Sequence, residues 1–159
     1  GALNIISKMA DSPLNQKDKG PLVLTPHPGE MARLTGLSVQ QVQADRPGLA
    51  LAKAREWETI IVLKGAGTVV ADPDGDLWVN STGGPALGTA GTGDVLAGMI
   101  GGLLAQGVSP IQAAIAGVYL HGAAGDLAAQ ELGDVGVIAS DLLPQIPRVI
   151  RSVKQYDPA

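Results

Sequence analysis

The apolar positions along the chain fall into two kinds of run. The stretch 59–63 (TIIVL) is β-branched and almost wholly apolar, as in a strand buried on both faces. Residues 22–25 form a short apolar run stopped by Pro26, which reads as another strand. The runs 68–71 and 77–79 flank Asp72-Pro73-Asp74-Gly75-Asp76, a hairpin signal. Helical spacing fills most of the rest. Residues 2–9 resemble the tail of a helix, and 11–20 form a polar, flexible stretch. A short helix over 30–34 ends at Gly36, and Ser38 caps a second. Asp45 caps a third, with Pro47 in its first turn, running to Trp57. Residues 80–93 carry five Gly, one Pro and no regular period, so they read as a loop. A helix follows over 94–106. Ser109-Pro110 opens a long one ending near Leu132. Ser140-Asp141 opens a last one, disturbed by Pro144 and Pro147. This alternation predicts a layered α/β fold with about four strands. The chain opens in mid-element.

Composition narrows the picture. The 159 residues suit a single domain. With 45% hydrophobic and 16% charged residues, intrinsic disorder is excluded. Phe is absent and only two Trp and two Tyr occur, so Ala, Val, Leu and Ile must build the core. The absence of Cys rules out disulfides and thiolate metal sites. The glycines of 94–106 (Gly98, Gly101, Gly102) and of 110–132 (Gly117, Gly122, Gly125) predict close packing of helix on sheet and helix on helix.

Net charge is −4, but it is unevenly spread. All eleven Lys and Arg lie at or before Lys64 or at or after Arg148, while 65–147 hold eight acids. Such a stretch cannot track a nucleic-acid backbone, so no nucleic-acid partner is expected. Any phosphate bound there must rest on backbone N–H groups and a helix N-terminus, with Lys64 as the single bordering cation. Residues 95–125 carry no formal charge if His121 is neutral, yet the break at 107–110 and the Gly/Ala richness favour two buried helices over a membrane span. Residues 1–9 lack the features of a signal peptide, and the expectation is a cytoplasmic protein.

Three strand-end loops carry candidate chemistry. Gly88-Thr89-Ala90-Gly91-Thr92-Gly93-Asp94 runs straight into an apolar helix. Glycines can turn N–H groups inward and the helix terminus adds partial positive charge, so Gly91, Thr92 and Gly93 form an anion hole with Asp94 beside it. A capping carboxylate over a structural loop is the plainer alternative. Lys64-Gly65-Ala66-Gly67-Thr68 follows the most strand-like run, where α/β sheets bind ligands; an ordinary turn with a solvated lysine is its alternative. Thr25-Pro26-His27-Pro28-Gly29-Glu30 also follows a strand. Its prolines fix where His27 and Glu30 point, although Glu30 could simply favour the helix dipole. His121 and Asp126 read as core or supporting residues.

The segments LTPHPGEMARL (24–34), VLKGAGTVVADPDG (62–75), GTAGTGDVLAGMIGGLLAQG (88–107) and AGVYLHGAAGDLA (116–128) resemble the ADP/ATP-dependent NAD(P)H-hydrate dehydratases of the ribokinase-like superfamily. The resemblance implies a layered α/β/α sheet and a chain, residues 1–159, that forms one partial domain without its N-terminal strands. It implies repair of hydrated NADH or NADPH: a nucleotide, ADP or ATP, phosphorylates the ring hydroxyl, and elimination restores the dinucleotide. By the same resemblance, Lys64, Gly65, Ala66, Gly67, Thr68 and Gly93 hold the nucleotide. Asp94 meets the substrate hydroxyl as the catalytic base, His27 touches substrate, and Glu30 organises Mg²⁺ through water. Gly84 departs from the Asn expected there. Another ribokinase-like hydroxyl kinase, such as a thiazole or pyrimidine vitamin kinase, is the alternative activity. A nucleotide-binding module without turnover is the alternative class. With few strands, the sheet should leave an open edge or apolar patch, and a homo-oligomer is expected to cover it.

Overall fold

A computed structural model describes residues 2–8 and 22–155; the polar stretch 11–20 lies outside the described residues. The chain divides into two compact units, residues 1–79 and 80–159.

In the first unit, helix α1 (Ala2–Ile6) precedes β1 (Val23–Leu24), α2 (Pro28–Thr35), α3 (Val39–Ala44), α4 (Arg46–Trp57), β2 (Ile60–Leu63), β3 (Val69–Ala71) and β4 (Leu77–Val79). The strands form one sheet in the order β1-β2-β3-β4. β1 and β2 run parallel, with Val23 beside Ile60 and Leu24 beside Ile61. β3 and β4 extend the sheet as an antiparallel hairpin, Leu63 facing Val69 and Val69 facing Val79. The apolar run of β2 is buried at all four positions, as its composition requires. Ile61 and Leu63 join Leu24, Met31, Val42, Ala54, Trp57, Val69 and Ala71 in one core. Ile60, Val62 and Val70, on the opposite face of the pleat, are buried too. The outer strand is different: Leu77 and Val79 of β4 are exposed, the open apolar edge that a short strand count foretells.

Helix starts follow local chemistry. Ser38 accepts from the Gln41 N–H at 3.1 Å while Gln41 accepts from the Ser38 N–H at 2.8 Å, a reciprocal cap. The Asp45 carboxylate accepts from the Gly48 N–H at 2.8 Å. Helix α2 begins at Pro28 rather than Glu30, because His27 itself is the cap.

In the second unit, α5 (Thr92–Ala105), α6 (Pro110–Leu132), α7 (Ala139–Leu142) and α8 (Gln145–Gln155) follow one another. Three expectations need correction. The 80–93 stretch is not all loop, since Pro85–Gly88 makes a 3-10 turn. α5 starts at Thr92 behind a left-handed Gly91, φ 90°, two residues before Asp94. The last helix is two: Asp141 accepts from the Ile138 N–H at 2.9 Å to start α7, and α8 follows at Gln145.

The glycine expectation holds on α6 and fails on α5. A Cβ on Gly117 would lie 2.6 Å from Ile100 Cγ1, and one on Gly122 would lie 2.1 Å from Thr82 Oγ1 and 2.7 Å from the Thr82 carbonyl carbon. Gly98, Gly101 and Gly102 face open space instead. Gly122→Ala is therefore expected to lower the urea midpoint by the equivalent of about 1–3 kcal/mol, the usual cost of overpacking. Gly98→Ala should raise it, by about 0.5–1 kcal/mol of recovered backbone entropy. Equal shifts in the two variants would refute the packing account.

Candidate functional site

Parallel strands β1 and β2 end side by side, and the Lys64 N–H donates to the Pro26 carbonyl at 2.9 Å. That bond ties the 25–30 loop to the 64–68 loop at the carboxyl ends of two parallel strands, where α/β sheets place ligands. His27 Nδ1 accepts from the N–H groups of Gly29 (3.1 Å) and Glu30 (3.2 Å), and Glu30 Oε2 accepts from the His27 N–H at 2.9 Å. With Nδ1 so engaged, a neutral ring carries its proton on Nε2. Nε2 lies 3.5 Å from Glu30 Oε2, and Lys64 Nζ lies 3.8 Å from the same oxygen. The structure thus brings His27, Glu30 and Lys64 together around one carboxylate. The helix-start role of Glu30 is real, and it leaves the His27 ring half exposed, at 50% of its side-chain surface.

The 64–68 loop itself turns through two glycines with positive φ, Gly65 at 146° and Gly67 at 61°. Thr68 Oγ1 donates to the Gly65 carbonyl at 3.2 Å. Arg46, the first residue of α4, reaches into this loop. Its guanidinium donates to the Gly67 carbonyl at 2.8 Å, to the Lys64 carbonyl at 3.5 Å and to the Ala66 carbonyl. Sequence reasoning missed Arg46 because no local spacing links a helix start to a loop across β2.

The second group of candidates lies in the second unit. Gly91 caps α5, and its carbonyl accepts from the N–H groups of Asp94 (3.0 Å) and Val95 (3.2 Å). Thr92 is buried, its hydroxyl 2.7 Å from the Leu87 carbonyl and 2.9 Å from that of Thr89. Helix α6 pins this segment at three points. His121 Nε2 lies 2.8 Å from the Thr92 carbonyl, Asp126 accepts from the Gly83 N–H at 2.9 Å, and Thr82 Oγ1 donates to the Tyr119 carbonyl at 2.9 Å. His121 and Asp126 are therefore supports of the glycine-rich segment, as their setting in an apolar helix suggests. Gly91, Thr92, Gly93 and Asp94 stand in consecutive positions at the start of α5, with Asp94 exposed. Gly84 adopts an extended backbone, and a Cβ there would meet only Asp126 Oδ1, at 3.8 Å. Nothing local demands glycine at 84. No helix among the described residues is long and apolar enough to cross a membrane.

Comparison with known proteins gives concordant findings. A family model described as NAD(P)H-hydrate dehydratase matches residues 1–148. The chain is 51% identical over 154 residues to a bifunctional NAD(P)H-hydrate repair enzyme Nnr of Moorella thermoacetica, covering 97% of this chain and 29% of that protein. Among solved structures it is similar to an ADP/ATP-dependent NAD(P)H-hydrate dehydratase from Bacillus subtilis, co-crystallized with ATP/Mg²⁺ and soaked with CoA. There the TM-score is 0.83 at 45% identity, over 86% of this chain and 51% of that one. A ribokinase-like superfamily protein of Enterococcus faecalis matches with a TM-score of 0.70 at 30% identity, over 98% of this chain and 50% of that one. The chain thus spans about half of each solved relative, and less of the bifunctional one.

Proposed function

The chain belongs to the NAD(P)H-hydrate dehydratase family and carries its ribokinase-like α/β fold, and from that membership we propose that it serves ADP- or ATP-dependent dehydration of hydrated NADH or NADPH. The observation that carries the reading is the pair of parallel strand ends in the first unit. They set His27, Glu30 and Lys64 around one carboxylate beside the glycine turn of 64–68. In this reading Lys64, Gly65, Ala66, Gly67, Thr68 and Gly93 hold the nucleotide. The anion hole of Gly91, Thr92 and Gly93 steadies the transferring phosphoryl group. His27 donates from Nε2 to the substrate.

The chemistry needs positioning and charge stabilisation rather than covalent help. The ring hydroxyl oxygen bonds to the terminal phosphorus of the nucleotide, the bond to the remaining nucleotide breaks, and Asp94 takes the hydroxyl proton. Loss of phosphate from the ring, with a proton from the neighbouring carbon, restores the dihydronicotinamide. Mg²⁺ would offset the nucleotide's negative charge. Glu30 fits it only through water: Oε2 is committed to the His27 N–H and faces Lys64, so a contact with a metal-bound water falls to Oε1. A hydrated Mg²⁺ held by one carboxylate and substrate phosphates is the common arrangement. The same reading places the protein in the cytoplasm, as a homo-oligomer that covers the exposed Leu77 and Val79.

The activity is tested by following recovery of NADH absorbance from its hydrate with ADP or ATP, using a protein extended to the length of the relatives. No recovery with either nucleotide would overturn the reading. Binding is tested on this chain alone. ADP should raise its melting temperature, since a ligand at 100 times Kd stabilises by about 2.7 kcal/mol. Lys64→Ala should shrink that rise markedly. An undiminished rise would place the anion elsewhere.

A further inference from the structure

Arg46 is half-buried, and among the described residues no carboxylate pairs with it. All its hydrogen bonds go to backbone carbonyls of one loop: Lys64, Ala66 and Gly67. A cation directed wholly at carbonyls has a geometric consequence. In a trans peptide the C=O of one residue and the N–H of the next point in opposite directions, and the described chain has no cis bond. Gathering the carbonyls of 64, 66 and 67 on one guanidinium therefore turns the N–H groups of Gly65, Gly67 and Thr68 away from it. Such a set of N–H groups, presented by neighbouring peptides around positive-φ residues, is a concave anion binder. No described residue accepts from these three groups in a turn or loop bond.

We propose that Arg46 is a positioning residue of the nucleotide site, which holds the carbonyls of Lys64, Ala66 and Gly67 so that the N–H groups of Gly65, Gly67 and Thr68 face the nucleotide phosphates. The proposal rests on the reading that 64–68 take the nucleotide. Two further features support it. The guanidinium is a flat fork with five donors at fixed angles, which a lysine ammonium cannot reproduce. A Cβ on Gly65 would lie 1.8 Å from Arg46 Nη1, so a side chain there would have to displace the guanidinium from its place. The guanidinium charge also polarises the peptides it grips, which strengthens their N–H groups as donors.

The test uses the ¹⁵N-labelled chain, with ADP as the probe. In the wild type, ADP should shift the amide signals of Gly65, Gly67 and Thr68. Arg46→Ala should weaken ADP binding by about ten- to a hundredfold in calorimetry, on the scale of one or two charge-assisted hydrogen bonds. Arg46→Lys should not restore it. Millimolar methylguanidinium should restore binding to Arg46→Ala but not to Lys64→Ala. A mere staple would change the melting temperature and leave ADP affinity, measured well below it, as in the wild type. ADP affinity within about twofold of wild type in both Arg46 variants, on the scale of 0.4 kcal/mol, would overturn the proposal while the nucleotide reading stands. Should Arg46→Ala fail to fold, Arg46→Lys alone decides. If ADP leaves the three wild-type amides unmoved, the nucleotide reading itself fails and takes the proposal with it.

Discussion

Asp94→Asn, in a protein extended to the length of its relatives, is expected to lower hydrate-dehydratase turnover by about 10²- to 10⁴-fold, the usual worth of a positioned general base. Nucleotide affinity should stay near that of the wild type. The structure separates the two roles that a carboxylate at a helix start can play. Asp94 is the third residue of α5, and among the described residues no hydrogen bond or ion pair engages its side chain. The cap position belongs to Gly91, which has no side chain to cap with. Asp94 is therefore not spent on closing the helix. Its exposed carboxylate interacts with the fold chiefly through the helix dipole, a contribution of about 0.3–1 kcal/mol. Asn keeps the size and loses the charge and the basicity. The melting temperature should fall by a few degrees at most, roughly the effect of 1 kcal/mol on a domain of this size. Recovery of NADH absorbance from its hydrate, with ADP in excess, measures the turnover. A rate within a few-fold of wild type would make Asp94 a dipole partner only and leave the base to another residue.

What could be read from the sequence was local chemistry and strand burial. The TIIVL run announces a strand buried on both faces, and β2 is buried throughout. Asp72 to Asp76 announces a hairpin, and β3 and β4 flank it. Ser38 and Asp45 announce caps by residue type alone. The capping role of His27 was not legible, because capping preferences rest on Ser, Thr, Asp and Asn, and a histidine nitrogen seldom takes that place. The start of α5 slipped by two residues for a related reason. Thr92 sits inside the helix, held by hydroxyl contacts to Leu87 and Thr89, and its neighbours gave no cap signal. The contacts that join distant segments were not legible at all. Arg46 to the 64–67 carbonyls, His121 to Thr92 and Asp126 to Gly83 each span 18 residues or more. Only the fold creates them, and all three support the glycine-rich segments that the sequence had marked.

Leu63→Ala should be the most destabilising single change in the first unit, at about 2–5 kcal/mol for a large-to-small substitution in a closed core. Leu63 is fully buried and packs within the cluster that includes Trp57, Met31 and Ala54. Backbone pairing fixes it on both sides: it faces Val69 on β3, and the next residue bonds through its N–H to Pro26. The strand therefore cannot slide to fill the space, and most of the cavity should persist. Domains of this class hold only about 5–15 kcal/mol in total, so the urea midpoint followed by circular dichroism should fall steeply. Val79→Ala is the control. It removes similar apolar bulk from β4, but Val79 is 61% exposed, and surface substitutions seldom exceed about 0.5 kcal/mol. The contrast also reaches function. Lys64 follows Leu63 directly, so loosening β2 should weaken the ADP-induced rise in melting temperature, while loosening β4 should not. Equal midpoints for the two variants would mean that β2 is not the centre of this core, and that the lysine is held in place by something other than the strand that carries it.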